Sequence, residues 1–201
     1  MDMVFSKRLN SRYFHNKRGG FFIEAGAMAG AGHSVCQWFE EELYWSGINV
    51  EPNPSLFIKL VHNRPNSINI NYALSDKVGS EVLVIPINNH NIEMRGHGTI
   101  SDIRAKKFES SRNIKKYTVS TDTYTNIINR MRIEKVDLFV LDVEGHELEV
   151  ISDFHNSPVL PKVFAVETNK IDKASILKLL MPLGYKLDWF DRNDSYFIKE
   201  K

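Results

Sequence analysis

The sequence predicts an α/β fold, a doubly wound and mostly parallel seven-stranded sheet whose last strand runs antiparallel. Three observations carry this. Short apolar runs alternate with segments of helical periodicity from Phe21 to Met181. The first apolar run leads into a loop built almost wholly of Gly and Ala. The last two runs are joined only by Asp191-Arg192-Asn193-Asp194, too short for a crossover, so the closing strand turns back on its neighbour.

Phe21-Phe22-Ile23 suits a strand covered on both faces. In the following Glu24-Ala25-Gly26-Ala27-Met28-Ala29-Gly30-Ala31-Gly32-His33-Ser34, the small residues let a ligand approach the backbone. Ser34 and Gln37 have capping-box spacing and open a helix with Val35, Trp38, Phe39 and Leu43 on its apolar side. The free amides and dipole at that helix start favour an anion, so the stretch reads as a small-molecule cofactor site. Gly47-Ile48-Asn49-Val50-Glu51 is a second buried strand ending in an acid. Asn53-Pro54 starts a helix with Pro at its first position and Leu56, Phe57, Leu60, Val61 and Arg64 along one stripe. Residues 68–74 form a third strand, closed by Ser75-Asp76.

The middle is less regular. Residues 81–85 and 117–120 read as short strands, and the polar segment 87–116 as an irregular cover over a functional site. Residues 121–132 make a weak helix on Ile127, Ile128 and Met131. Alternation then returns with a strand at 136–143, a short helix at 145–151 and a strand at 162–168. A helix capped by Asp172 carries Ile176, Leu177, Leu180 and Met181 and stops at Pro182 and Gly184. Strands at 185–190 and 196–199 close the chain.

At 201 residues the chain reads as one domain over 19–201, preceded by a basic, polar and loosely attached arm at 1–18. That arm lacks the apolar centre of a signal peptide. No apolar run approaches the ~20 residues needed to span a bilayer. A formal net charge of +1 gives no overall pull toward nucleic acid or an anionic membrane. Cys36 is the single cysteine, which excludes an internal disulfide and suits a reducing, cytoplasmic setting.

In an open parallel sheet, ligands bind beyond the carboxyl ends of the strands, where strand order reverses. Glu24, Glu51, Ser75-Asp76, Asp142, Glu144 and Glu167 stand at those ends. Glu51 lies about 20 residues beyond Gly32, as a carboxylate binding both ribose hydroxyls of an adenosine would. Gly30-x-Gly32 partly matches a dinucleotide fingerprint, with branched Val35 at its third glycine position, so an NAD-binding oxidoreductase stays open. The spacing Glu24-x-Gly26-x-x-x-Gly30 instead puts an acid in the strand end, which a positive group explains better than a pyrophosphate. S-adenosylmethionine (SAM) offers an ammonium and a sulfonium, plus a carboxylate for the helix start.

Four strings make the reading more specific. Phe22-Ile23-Glu24-Ala25-Gly26, Trp45-Ser46-Gly47-Ile48-Asn49-Val50-Glu51-Pro52-Asn53-Pro54, Tyr72-Ala73-Leu74-Ser75-Asp76 and Asp137-Leu138-Phe139-Val140-Leu141-Asp142-Val143-Glu144-Gly145-His146-Glu147 resemble the FkbM family of SAM-dependent methyltransferases. The likeness runs in order from about Gly20 to Lys199 and takes in Gly184-Tyr185 before the closing hairpin. It implies a class I methyltransferase (Rossmann-like) fold and methyl transfer to a hydroxyl oxygen. It also implies that Glu24, Gly26 and Gly30 line the methionine part of SAM, with Ala27 and Ser34 of the same loop as further cofactor positions. Glu51 would take the ribose with Pro52 and Asn53 beside it, Ala73, Leu74 and Ser75 would border the adenine, and Asp142 would sit next to the transferable methyl. The family's loop usually carries Asn and an acid where this chain has Met28 and Ala29.

Methyl transfer from a sulfonium is an in-line displacement, helped by positioning and by a base for the hydroxyl proton. His146 titrates in the useful range, with Asp142 and Glu144 as alternatives, although His146 also reads as a surface residue on a first helical turn. His97, in the glycine-flanked Arg95-Gly96-His97-Gly98-Thr99 of the cover, and Glu167 are candidate acceptor contacts. A divalent cation on Asp142, Glu144, His146 and Glu167 would acidify the hydroxyl, but no tight ligand spacing supports it and no metal is assigned. Arg104, Lys106, Lys107, Arg112, Lys115 and Lys116 flank the cover and could attract a phosphorylated or otherwise acidic substrate, but the run reads first as solvated charge. The expected partner is a small-molecule or glycan-type hydroxyl compound; no membrane is expected, no nucleic acid is assigned, and sugar, polyketide, nucleic-acid ribose and lipid hydroxyls all stay open as acceptors. The stripped Met28-Ala29 loop keeps a catalytically silent SAM- or partner-binding module open. All of these readings place Glu24 and Glu51 on one crevice, gripping opposite ends of one ligand.

Overall fold

A computed structural model of the chain describes residues 3–94, 96–169, 172–191 and 193–200. Arg95 and Arg192, which the sequence places in the cover and the closing hairpin, lie outside the described residues.

The first half of the sheet is built as the apolar runs dictate. Strand β1 (Phe21–Ala25) is followed by helix α2 (Cys36–Leu43), strand β2 (Ser46–Val50), helix α3 (Pro54–Asn63) and strand β3 (Ile68–Ile70), α1 (Met3–Leu9) preceding them. Asn53 caps α3 by accepting from the Ser55 amide, with Pro54 at the first helical position. The third strand is shorter than its apolar pattern suggests. After Ile70 the chain leaves the main sheet, and β4 (Ala73–Leu74) joins a second sheet of order β4-β6-β5 with β5 (Gly79–Pro86) and β6 (Ile114–Asp122). The cover is also more regular than expected, because 102–111 form helix α4 (Asp102–Ser111). Its sparse apolar residues hid the period: Phe108 is buried, whereas Ile103 is exposed.

The second half restores strand–helix alternation. Helix α5 (Tyr124–Arg130) leads to β7 (Leu138–Leu141), α6 (Glu147–Ser152), β8 (Val163–Glu167), α7 (Lys173–Leu180), β9 (Tyr185–Asp191) and β10 (Asp194–Lys199). The Asp172 carboxylate accepts from the Ala174 and Ser175 amides and starts α7. Gly184, at φ +81°, follows the short 3-10 turn that ends it. The main sheet has seven strands in the order β3-β2-β1-β7-β8-β10-β9. β10 runs antiparallel to both β8 and β9, while β3, β2, β1, β7 and β8 pair in parallel.

Period-two alternation sends neighbouring residues to opposite layers. Ile23, Ile48, Phe139 and Phe164 pack under α5, α6 and α7, whereas Phe22, Leu138, Val163 and Tyr196 pack with α2 and the N-terminal segment. The arm expected to be loose is part of that second layer. Over 3–18, α1 and a π-helical turn (Asn10–Phe14) bury Leu9 and Phe14. Ser6 donates to the Val35 carbonyl, and Arg12 and Tyr13 both bond Asp188 on β9. The basic residues conceal this packing in the sequence, because their charges lie outside while Phe5, Leu9, Tyr13 and Phe14 face inward. Among the described residues no helix is long and apolar enough to cross a membrane.

Candidate active site

Strand order reverses between β1 and β7: the chain runs outward from β1 to β3 and later returns to β1's other side. The carboxyl ends of β1 and β7 therefore frame a crevice, and Gly26 closes its floor. A Cβ at Gly26 would stand 1.9 Å from the Asp142 carbonyl oxygen, and its φ is +84°, so only glycine fits this contact. Asp142 is fixed from the same side, its amide donating to the Ala25 carbonyl.

Two cavities meet there. The first, about 100 Å³, is lined by Glu51, Pro52, Asn53, Tyr72, Ala73, Leu74, Val143 and Glu144, with Met94, Gly96 and Gly98 of the cover above. The second, about 380 Å³, is lined by Glu24, His33, Val35, Val140, Glu167, Asp194 and Tyr196, with Phe5 of α1. Ala25, Gly26, Met28, Leu56 and Asp142 line both.

The two strand-end glutamates are held differently. Glu51 is buried and accepts from the Met28 and Asn53 amides, one on each carboxylate oxygen. Burial pushes its carboxyl up to about 7. Glu24 binds the start of α2: one oxygen accepts from the Val35 and Cys36 amides and the other from the Ser34 hydroxyl. Buried Arg64 stands 3.7 Å from Glu24 and is also paired with Glu40. Burial raises the Glu24 carboxyl, opposed by Arg64 and those hydrogen bonds. The anion that the helix start favours is thus supplied by the chain itself. Ser34 also accepts from the Gln37 amide, while the Gln37 side chain turns to Gly32 rather than closing the capping box.

The structure gathers Glu24, Gly26, Glu51, Pro52, Asn53, Ala73, Leu74, Asp142, Glu144 and Glu167 around the two cavities. Ala27, Gly30, Ser34 and Ser75 line neither cavity. Gly30, at φ +72°, packs against Leu60 and Arg64 and shapes the loop from below. Ser75 is buried and its hydroxyl meets His146 Nε2 at 3.0 Å. His146 is thereby turned away from both cavities, with Glu149 3.6 Å from its other ring nitrogen and its pKa lowered by burial. His97 is exposed and only its glycine neighbours reach the first cavity.

Asp142, Glu144 and Glu167 each bring a carboxylate oxygen within 4.8 Å of the others. Such oxygens suit a hard divalent cation, but acids at strand ends serve equally as hydrogen-bond and proton acceptors. Glu144 is paired with Arg104, and its backbone at φ +60° is tied by the Thr99 hydroxyl to its carbonyl. Two lysines of the basic run around the cover are engaged likewise: Lys115 pairs with Glu93 and Lys116 with Glu109. Glu147, fully buried, accepts from the Val143 and Gly145 amides and holds the turn after β7. Phe5, Met94, Asp194 and Tyr196 are lining residues that no local pattern singles out, since each reaches the site from a distant element.

The methyltransferase FkbM domain model matches residues 24–187. None of the curated proteins matches the chain in sequence. Among solved structures, methyltransferase FkbM from Methylobacillus flagellatus is similar at TM-score 0.54 and 10% identity, over 91% of this chain and 44% of that one. Fibrillarin from Aeropyrum pernix, with natively bound S-adenosylmethionine, aligns at TM-score 0.49 and 12% identity over 97% and 72%. The pre-rRNA processing fibrillarin of Methanococcus jannaschii aligns at TM-score 0.47 and 14% identity. This chain spans 66% of that protein and less than half of the Methylobacillus one.

Proposed function

From the chain's membership of the FkbM methyltransferase family, we propose that it moves a methyl group from SAM to a hydroxyl oxygen of a small-molecule or glycan-type acceptor. The observation that supports this best is the junction of two cavities over Gly26 and Asp142 at the β1/β7 reversal. The first cavity is the adenosine side, where the Glu51 carboxylate accepts both ribose hydroxyls and Ala73 and Leu74 flank the adenine. The second takes the methionine end and the acceptor. A bound SAM supplies an electrophilic methyl on sulfur.

Asp142, shared by both cavities, stands where the acceptor oxygen meets that methyl. The acceptor hydroxyl would give its proton to Asp142 or to nearby Glu167 as its oxygen takes the methyl from sulfur, with S-adenosylhomocysteine as the other product. Met28, Met94 and Gly96 narrow the first cavity to about 100 Å³, below the ~300 Å³ lower end of small-molecule sites. Binding therefore needs the flexible Met28 and Met94 side chains to swing aside. A reducing, cytoplasmic setting suits the buried free thiol of Cys36.

The test is calorimetric titration with S-adenosylhomocysteine and with NADH, followed by turnover of hydroxylated acceptors. Saturable binding of the first alone, with Asp142→Asn lowering turnover by about 100-fold and His146→Ala by less than about threefold, is the expected result. NADH binding without S-adenosylhomocysteine binding sinks the proposal. Unimpaired cofactor binding with no transfer to any hydroxyl favours the silent module.

A further inference from the structure

Glu93 belongs to the cover, where an isolated bridge pairs it with Ile87 and the next amide, of Met94, donates to the Pro86 carbonyl. Its carboxylate ties the cover to β6 and to the start of α3. Oε1 accepts from Lys115 at 2.9 Å and from the Tyr117 hydroxyl at 2.5 Å, both on β6. Oε2 accepts from Asn53 Nδ2 at 3.1 Å. Burial opposes ionisation of this carboxyl, but the bonds from Lys115, Tyr117 and Asn53 outweigh it and hold its pKa below the ordinary value, so it keeps its charge.

Asn53 has both ends of its side chain engaged. Its Oδ1 caps α3 on the Ser55 amide, which leaves Nδ2 as the donor to Glu93 and fixes the orientation of the carboxamide. Its backbone amide donates to Glu51 Oε1 at 2.8 Å. The carbonyls just before it are held as well, Glu51 and Pro52 both accepting from Asn71 Nδ2. A line of bonds therefore runs from β6 through Glu93 and Asn53 to the carboxylate in the first cavity. Met94, next to Glu93, walls that same cavity. Helix capping accounts for Asn53 Oδ1 but not for the bond from its Nδ2 to the cover.

Resting on the methyltransferase reading above, we propose that Glu93 is a positioning residue for the cofactor: through Asn53 it aims the Glu51 carboxylate at the two ribose hydroxyls, and it seats Met94 beside them. A carboxylate already aimed by a fixed amide loses little freedom when the ribose arrives, which raises affinity without adding a contact. Lys115 and Tyr117 act behind Glu93 by holding its other oxygen.

The test is calorimetry with S-adenosylhomocysteine on the full chain, on Glu93→Ala, on Asn53→Ser and on the double variant, each melted first to show that it folds. Ser keeps a cap on the Ser55 amide and removes the donor to Glu93. Each single variant binds S-adenosylhomocysteine about tenfold more weakly, and the double variant no more weakly than the worse of the two, because both delete one bond. If Glu93 merely anchored the cover through Lys115 and Tyr117, the losses would add. Additive losses, or unchanged affinity in Glu93→Ala, overturn the inference. If Glu93→Ala does not fold, Asn53→Ser decides alone: a loss of about tenfold at an unchanged midpoint supports the inference, and unchanged affinity overturns it. Failure of S-adenosylhomocysteine to bind the wild type removes the methyltransferase reading, and this inference falls with it.

Discussion

Glu24 and Glu51 lie at the carboxyl ends of adjacent parallel strands, both buried, and the structure uses them in opposite ways. Glu24 is absorbed into the scaffold: it holds the start of α2 through Val35, Cys36 and Ser34 and stands beside buried Arg64. Glu51 is presented by two backbone amides, and burial leaves its carboxyl at about 7. Both acids accept from two backbone amides, but Glu24 also has buried Arg64 beside it, whereas Glu51 faces the first cavity without such a cation among the described residues, and the proposed function assigns the ribose to Glu51 alone. Spacing along the chain does not separate the two cases.

The comparison can be broken most forcefully at Glu24. Glu24→Ala frees the α2 amides and strips Arg64 of one carboxylate, a loss of about 3 kcal/mol by the scale of broken buried pairs. Urea denaturation reads it; a loss below about 1 kcal/mol, with S-adenosylhomocysteine binding abolished, would reverse the two roles. Glu51→Ala should weaken S-adenosylhomocysteine about 100-fold by removing charge-assisted bonds to the ribose, with little loss of stability at pH 8. Calorimetry and a melting curve on one sample decide that pair.

A pH series sharpens the contrast. The folded Glu51 carboxyl lies at about 7 against an ordinary 4.5, so the native state holds a proton that the unfolded chain releases. Glu51 therefore makes stability fall as pH rises from about 4.5 through 7, and Glu147, also pushed by burial up to about 7, adds to the fall. Ribose hydroxyls favour the charged form, so S-adenosylhomocysteine affinity should rise about tenfold from pH 6 to pH 8. Glu51→Gln should abolish that rise; if the rise persists, another group is responsible.

The smallest effect concerns Met28, which holds φ +52° and reaches toward Gly96 of the cover. Asn tolerates that backbone better and is shorter, so Met28→Asn should add about 0.5 kcal/mol of stability and tighten S-adenosylhomocysteine slightly. A loss of both shows that Met28 packing outweighs its strain.

Much of the fold was legible because the sheet strands are dense apolar runs and the helix starts at Asn53-Pro54 and Asp172 have side chains that cap. The cover helix was not, since Phe108 is its one buried residue and a single anchor sets no period. The docking of the N-terminal segment is hidden in the sequence because its charged residues outnumber the inward ring and leucine side chains that hold it. At the site, the residues around Gly26, Glu51 and Asp142 could be read from strand ends and family strings. Phe5 and Tyr196 could not, because they meet only after β10 inserts beside β8 and α1 folds over it. His146 shows the converse, a reactive residue type at an inviting position that the fold turns onto Ser75.

A crystal structure of the chain with S-adenosylhomocysteine tests the central claim most directly. The account predicts both ribose hydroxyls within hydrogen-bond distance of the Glu51 carboxylate and the sulfur beside Asp142, facing the cavity walled by Phe5 and Tyr196. A ribose bound away from Glu51, or a sulfur turned from Asp142, contradicts it.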